Sequence, residues 1–266
     1  MKRGVKILLK ILIPILIILL VLGYFGFVPI VSDILGTNKP KNLGVTFTEK
    51  DFESARKKTG VKYEVLTGDL KPEESLKYSG KRSVKMELTS SELTALTYER
   101  KWRYYPLKKW TVKINEDGTV ETSGQILTNK LMDCLRAFGI KPPEKSKEIS
   151  EEIIMMGAFG NLQVPEITRF YNLLNQISRF IKSNPSFYIK GKAKIENNKL
   201  TLLQLDSVYL GKINLTSTVN KYKGEIISFI EEILDNTPGL YVTSLVFQDM
   251  KLKFTGTLPA VESHLE

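Results

Sequence analysis

The first thirty residues have a hydrophobic pattern unlike that of the rest of the chain. No side chain from residue 11 to residue 31 carries a formal charge, and most of them are Ile, Leu or Val. As a helix rising about 1.5 Å per residue, this run is roughly 30 Å long, which matches the hydrocarbon core of a bilayer. We therefore predict that residues 1–31 form a cytoplasmic stub and a transmembrane signal-anchor.

Charges on either side of the run predict its orientation. The basic residues on its N-terminal side are Lys2, Arg3, Lys6 and Lys10, and the first acidic residue is Asp33. By the positive-inside rule, the short N-terminus stays in the cytoplasm and the chain after about residue 32 is exported. A cleaved signal peptide is the alternative, but its apolar region is about 7–15 residues long and ends at an Ala-x-Ala-like site. Here the first alanine is Ala55. The expected location is the cell membrane, single-pass, with an extracytoplasmic C-terminal domain.

After a predicted linker at 32–44, helical and strand patterns alternate. Thr48 with Asp51, and Thr89 with Glu92, are capping-box pairs that each open a helix. Turn residues at Asp117-Gly118 predict a hairpin of strands 110–114 and 119–126. Further strands are predicted at 61–66, 83–88, 188–195, 200–205, 209–219, 241–247 and 251–258, and further helices around Cys134 and at 148–156, 165–182 and 225–234.

These elements predict an α+β fold over residues 45–262, in which helices pack on an antiparallel sheet with hairpins. A helix followed by a hairpin occurs twice, at 89–127 and at 222–259. The similar spacing predicts that this unit is used as two subunits of the domain.

Composition limits the chemistry of the exported part. The net charge is +10, and removing the four anchor charges leaves +6 outside. Anionic lipid head groups or wall polymers are the expected acidic partners, and nucleic acid is not expected there. Cys134 is the only cysteine and lies on an apolar helix face with Leu135 and Phe138, which indicates a buried structural thiol.

The sequence offers few catalytic groups. His264 is the only histidine, and no glycine-rich phosphate loop is present. We therefore expect no Ser–His–Asp or Cys–His catalysis, no metal site and no cofactor, and we predict that the protein is not an enzyme. A pair of carboxylates acting on a wall glycan stays open as the enzymatic alternative.

Two segments are candidate contact surfaces. The first is dense in aromatic and basic side chains, which can meet phosphate or carboxylate groups or lie at a lipid interface. Its members are Arg100, Lys101, Trp102, Arg103, Tyr104, Tyr105, Lys108, Lys109 and Trp110. The second is an apolar stripe that either lines a ligand groove or packs in the core. Its members are Ile167, Phe170, Tyr171, Leu174, Ile177 and Ile181.

Three short stretches also carry a family resemblance. Residues 89–96 (TSSELTAL), 117–124 (DGTVETSG) and 254–259 (FTGTLP) follow a basic N-terminus and one anchor helix. Together they resemble bacterial single-pass envelope proteins of unknown function, the YpmS-like proteins among them. The resemblance covers 89–126 and 225–259. It implies a relation to tubular or AsmA-like lipid-binding domains and assigns no functional residue.

The sequence thus predicts a membrane-anchored, extracytoplasmic and non-catalytic binding module for lipid or another amphipathic envelope molecule. A structural or protein-interaction domain of an envelope complex is the alternative, with a contact patch around Trp102 and Trp110.

Overall fold

A computed structural model describes residues 3–24, 28–98, 100–139 and 184–266, and it describes their side chains except for 3–13 and 29. The chain begins with helix α1 (Arg3–Tyr24), followed by helix α2 (Pro29–Ile34). The sequence predicted one helix through residue 31. The break before α2 follows from Pro29, since Val28 has the extended backbone that a residue before proline prefers. Within the described ranges, no helix combines the length and the apolar character that a membrane crossing requires.

Within the described residues, eight strands form one curled antiparallel sheet. The strands are β3 (Arg82–Thr89), β4 (Leu107–Ile114), β5 (Val120–Ile126), β6 (Ser186–Glu196), β7 (Lys199–Leu210), β8 (Ile213–Asn214), β9 (Tyr241–Gln248) and β10 (Lys251–Leu258). Their order is β3-β10-β9-β6-β5-β4, and β7 pairs with both β6 and β8. The prediction of an α+β fold with an antiparallel sheet and packed helices is confirmed.

Strand β6 is the point at which this sheet divides. One edge of β6 pairs with β7 along nearly its whole length. On the other edge, the first half of β6 pairs with β5 and the last three residues pair with β9. The β4–β5 and β9–β10 hairpins therefore meet beside β6, and Gly118 in the first hairpin lies against the Phe247 carbonyl of the second.

Helix α4 (Ser90–Thr97) connects β3 and β4, the end strands of the two branches of the sheet that meet at β6. The Thr94 hydroxyl accepts a hydrogen bond from the Val112 amide at 3.0 Å, and the Ser90 hydroxyl accepts one from the Ile114 amide at 2.9 Å. Ile114 shares a core cluster with Leu88 of β3. The edges of the sheet are thus brought together by α4, which accounts for the curl.

The remaining helices are α3 (Glu49–Thr59), α5 (Thr128–Ala137), α6 (Thr216–Lys221) and α7 (Lys223–Asn236). The capping boxes of α3 and α4 are both present, which confirms the predicted helix starts. Ala55 of α3 packs beside Leu88, while Ile226 and Ile230 of α7 pack on the other end of the sheet's apolar face.

A second, small sheet contains β1 (Lys62–Leu66), β11 (Val261–Leu265) and β2 (Leu76–Ser79), with β11 in the middle. Strand β11 runs parallel to β1 and antiparallel to β2. The sequence did not predict β2 or β11, because each has only four or five residues and pairs with distant parts of the chain.

The strand predicted at 209–219 is wrong beyond β8. Gly211 turns the chain with φ +57°, and the Asn214 side chain accepts a hydrogen bond from the Thr216 amide at 3.0 Å. Thr216 then opens α6. Side-chain hydrogen bonds to the local backbone favoured a helix start over continued strand pairing.

The β4–β5 and β9–β10 hairpins each follow a helix along the chain, and both hairpins belong to the same sheet. Helix α4 packs beside its own hairpin, whereas α7 packs mainly across β7. Residues 32–44, expected to form a linker, instead lie partly in the interior, since Ser32, Thr37 and Leu43 are buried.

Candidate functional site

The C-terminal end of α1 is hydrogen-bonded to side chains of the residues that follow it. The Ser32 hydroxyl donates to the Gly23 carbonyl at 2.8 Å, and the Thr37 hydroxyl donates to the Tyr24 carbonyl at 3.1 Å. The last carbonyls of a helix have no partner within the helix and need one elsewhere. Here the two hydroxyls supply it. Both side chains are buried, which makes these hydrogen bonds costly to lose.

The same residues connect α1 to the large sheet. The Thr37 carbonyl accepts hydrogen bonds from the Ser186 hydroxyl at 2.8 Å and from the Ser186 amide at 3.2 Å. Ser186 begins β6, and its own carbonyl accepts from the Gly211 amide. We call Gly23, Tyr24, Ser32, Thr37 and Ser186 the anchor junction. Through it, an unbroken series of hydrogen bonds runs from the end of α1 into the sheet.

A second set of contacts supports the junction. The Lys41 amide donates to the Ser123 hydroxyl at 2.8 Å, and the Lys41 ammonium lies 3.7 Å from the centre of the Tyr188 ring. The Tyr188 hydroxyl donates to Glu121 at 2.7 Å. Burial raises the pKa of Glu121. Hydrogen bonds from Tyr188 and Asn115 and the charge of Lys41 together lower this pKa by more than burial raises it, so the net shift is downward. The carboxylate is therefore ionised next to Lys41.

The described part of α1 exposes apolar side chains on every side. Ile15, Leu16, Ile17 and Ile18 are each about half exposed, between 48% and 57%. The next residues along the helix are also exposed: Leu19, Leu20, Val21 and Leu22. Eight consecutive residues cover more than two helical turns, so the apolar surface surrounds the helix. A surface that is hydrophobic all round is typical of buried or membrane-spanning helices.

The aromatic and basic segment at 100–110 does not form one surface. Trp102 is 2% exposed and donates its indole N–H to the Ser75 hydroxyl at 3.1 Å. Trp110 is half-buried and donates to the Thr122 hydroxyl. Tyr104 is also half-buried and donates to the Leu70 carbonyl at 3.2 Å. These aromatic residues pack and hydrogen-bond within the domain, so they offer no exposed aromatic patch.

Arg100 lies in a buried polar cluster with Glu262 of β11. The two side chains form an ion pair, and the Tyr105 ring lies 5.7 Å from the guanidinium carbon. Burial lowers the pKa of Arg100, but Glu262 raises it by more, which keeps the guanidinium charged. Burial also raises the pKa of Tyr78, whose hydroxyl contacts Arg100. The cluster holds the small sheet to the segment at 100–105.

The other basic residues of the segment remain on the surface. Lys101, Arg103, Lys108 and Lys109 are all exposed. Lys101 lies 3.9 Å from Glu266, and Arg103 donates to the Glu266 carbonyl at 3.2 Å. The candidate contact residues are therefore divided between the interior and the solvent. The groove-lining candidates, Ile167, Phe170, Tyr171, Leu174, Ile177 and Ile181, lie outside the described residues.

Cys134 is buried against Leu76 and Trp102. Burial raises the pKa of its thiol to about 12. A reactive cysteine needs an accessible thiolate stabilised by nearby positive charge. Cys134 is buried, and burial raises the pKa of its thiol by more than the charge of Arg100 lowers it, in agreement with the structural role that its sequence pattern indicated.

A shallow cleft of about 480 Å³ lies where the two hairpin tips meet. Glu116, Asp117 and Glu121 contribute carboxylates to it, and Lys113 and Lys190 contribute cations. Hydrogen bonds from the Thr119 side chain and amide lower the pKa of Asp117, and the pKa of Glu121 is lowered as described above. Lowered pKa values favour the ionised form of Asp117 and Glu121, whereas the acid in glycoside hydrolysis is a carboxyl group that stays protonated.

Helix α7 covers one end of the sheet's apolar face incompletely. Ile226, Ile227 and Ile230 pack on the sheet, and Ile233 packs beside Leu135 of α5. No residue of α7 is fully buried, although the helix carries a wide apolar stripe. The apolar side chains of α7 are therefore half-buried in the domain as the structure describes it.

The sequence did not identify the hydrogen bonds by which Ser32, Thr37 and Ser186 join the end of α1 to the sheet. Two hydroxyl residues directly after a long apolar run were a usable signal, because helix ends need acceptors or donors from nearby side chains. Nothing local marked Ser186 as their partner, since it lies 149 positions from Thr37. Comparison of the chain with known protein families, with curated proteins and with solved structures finds no significant match.

Proposed function

We propose that the protein is a single-pass, membrane-anchored binding module. Its ligand is lipid or another amphipathic molecule of the cell envelope. In this proposal α1 is the transmembrane helix, the N-terminus is cytoplasmic and the curled sheet lies outside. No catalytic residue, metal or cofactor takes part.

The anchor proposal is supported mainly by the apolar surface of α1. The side chains of residues 3–13 are outside the description, so for that part the support is the sequence, with its charge-free run from residue 11 and its basic start. From Ile15 to Leu22, the described side chains are apolar and exposed around the helix. Exposing such an apolar surface costs free energy in water but not in lipid.

The anchor junction supports an arrangement in which the sheet is held against the bilayer. The buried hydroxyls of Ser32 and Thr37 join the end of α1 to Ser186 without an intervening free linker. A domain held in this way keeps a fixed orientation next to lipid. An amphipathic molecule leaving or entering the bilayer would reach it without crossing much water.

Helix α7 supports the choice of an amphipathic ligand. Its apolar side chains are half-buried, with Ile227 on the apolar face of the curled sheet and Ile233 beside Leu135 of α5. When an acyl chain covers apolar surface that is partly exposed in the unliganded domain, the removal of that surface from water favours binding.

The test compares two variants of α7 in the full chain. The protein is purified from its host membranes into nanodiscs of one synthetic lipid, and native mass spectrometry is used to detect retained host lipid. We expect retained lipid in the unaltered chain and its loss in Ile233→Asn, because the amide is poorly accommodated beside an acyl chain. Ser228→Asn is the control, since it introduces the same side chain at an exposed position of the same helix, and this variant should retain lipid.

An unaltered chain that retains no host lipid would contradict the lipid-binding proposal. That result would favour the alternative, a structural or interaction domain of an envelope complex. One observation supports this alternative. Lys85, Lys190 and Lys192 lie on the sheet face opposite the apolar core and have no ion-pair partner among the described residues. Such a face suits an anionic wall polymer or an acidic protein surface.

A further inference from the structure

Helix α2 has two faces of opposite character. Ser32 is completely buried and points toward the end of α1, where its hydroxyl bonds the Gly23 carbonyl. Ile30 and Ile34 lie four positions apart and therefore share the other face. They are 74% and 77% exposed, more than any other large apolar side chain that the structure describes.

The position of this face is fixed relative to α1. Val31 packs closely on Gly23, so α2 lies beside the last turn of α1. The Thr37 hydroxyl, bonded to the Tyr24 carbonyl, holds the next part of the chain at the same level. If α1 spans the bilayer, its last turn lies at the outer boundary of the hydrocarbon core, and α2 lies there with it.

Charges near α2 fit the phosphate level of a membrane. Lys39 and Lys212 are exposed and have no ion-pair partner among the described residues. Lys212 follows Gly211, which packs against Thr37. The one acidic residue of α2, Asp33, accepts a hydrogen bond from the Asn38 side chain. Long basic side chains beside an apolar helix face are typical of interfacial helices on anionic lipid.

We propose that Ile30 and Ile34 of α2 enter the head-group and acyl boundary of the outer leaflet. Leu35 adjoins this face and is also exposed. Helix α2 then acts as a second membrane contact beside α1, and the two contacts together fix the tilt of the sheet on the bilayer. This inference rests on the proposed transmembrane role of α1, whose Gly23 lies against Val31 of α2.

The experiment measures depth in the bilayer with nitroxide labels on the full chain. The chain is placed in vesicles of phosphatidylcholine and phosphatidylglycerol, and single cysteines are introduced as Ile34→Cys, Ile18→Cys and Val65→Cys. Val65 is an exposed apolar residue of β1 and serves as the matched aqueous control. Cys134 stays in place, because its buried thiol should not react, and the unaltered chain gives the blank.

Accessibility to oxygen and to a water-soluble nickel chelate then gives the depth of each label. We expect an oxygen-to-nickel ratio several-fold higher at Ile18→Cys and at Ile34→Cys than at Val65→Cys, with Ile34→Cys the shallower of the two. A ratio at Ile34→Cys equal to that at Val65→Cys, with Ile18→Cys still deep, overturns the role of α2 and leaves the anchor standing. An Ile18→Cys label in water overturns the anchor itself. An Ile34→Cys label closed to both reagents indicates a protein contact and also overturns the inference.

Discussion

At the scale of single residues, Glu92 shows how local signals become tertiary contacts. It is the third residue of α4, and its carboxylate accepts a hydrogen bond from the Thr89 amide at 2.9 Å, as the capping box predicts. The same carboxylate accepts hydrogen bonds from Ser54 and Lys58 of α3, each at 2.6 Å. The capping box was visible in the sequence. The connection to α3 was not, because nothing local to Glu92 specifies which helix lies beside it.

Replacing Glu92 by Gln should destabilise the domain. Glutamine retains one acceptor oxygen but loses the charge, so the contacts with Ser54 and Lys58 weaken. We expect a loss of about 1–3 kcal/mol in the free energy of unfolding, measured by denaturant titration of the full chain in detergent. Glu87→Gln removes a carboxylate from an exposed pair with Lys251 and should leave stability unchanged.

The pH dependence of this effect has a definite sign. Burial raises the pKa of Glu92, but hydrogen bonds from Lys58, Ser54 and Thr89 lower it by more. A carboxyl group whose pKa is lowered on folding stabilises the fold above its unfolded pKa, about 4.3, and loses this contribution as the pH falls through the folded value. The difference between the unaltered chain and Glu92→Gln should therefore shrink on acidification. A difference that grows toward low pH would contradict this assignment.

At the scale of elements, the sequence predicted those whose signals are local. The helix caps at Thr48 and Thr89 and the Asp117-Gly118 hairpin depend on residues within a few positions of one another, and the structure has all three. Prediction from the sequence fails for elements whose pairing partner is distant along the chain. Strand β11 pairs Val261 with Lys62, and no local pattern identifies such a parallel neighbour.

The anchor junction is the element-scale contact on which the orientation of the sheet depends. Thr37→Val preserves the shape of the side chain but removes the hydroxyl, which leaves the Tyr24 carbonyl without that donor. We expect a loss of about 1–3 kcal/mol in the free energy of unfolding and faster amide hydrogen exchange at the start of β6. Thr243→Val, at an exposed position of β9, is the matched control and should change neither quantity. Equal behaviour of the two variants would show that the junction hydroxyl contributes nothing.

At the scale of the whole molecule, the hydrophobic pattern predicted the α+β fold, but not the way in which the parts join. The expected free linker at 32–44 contains two of the buried hydroxyls of the junction, and the expected contact residue Arg100 pairs with Glu262, 162 positions away. Both outcomes have one cause. Polar side chains near a folded sheet are satisfied by whichever partner the topology brings to them, and topology is set by contacts between distant residues.

We propose above all that the chain crosses the membrane once and that its sheet lies outside. The most direct test is labelling of intact cells with a membrane-impermeant maleimide, using Val65→Cys and Lys6→Cys in separate full-length chains. We predict that Val65→Cys is labelled in intact cells, that Lys6→Cys is labelled only after the membrane is permeabilised, and that the unaltered chain, with Cys134 buried, is not labelled. A Val65→Cys chain protected in intact cells, or a Lys6→Cys chain labelled in them, would contradict the account.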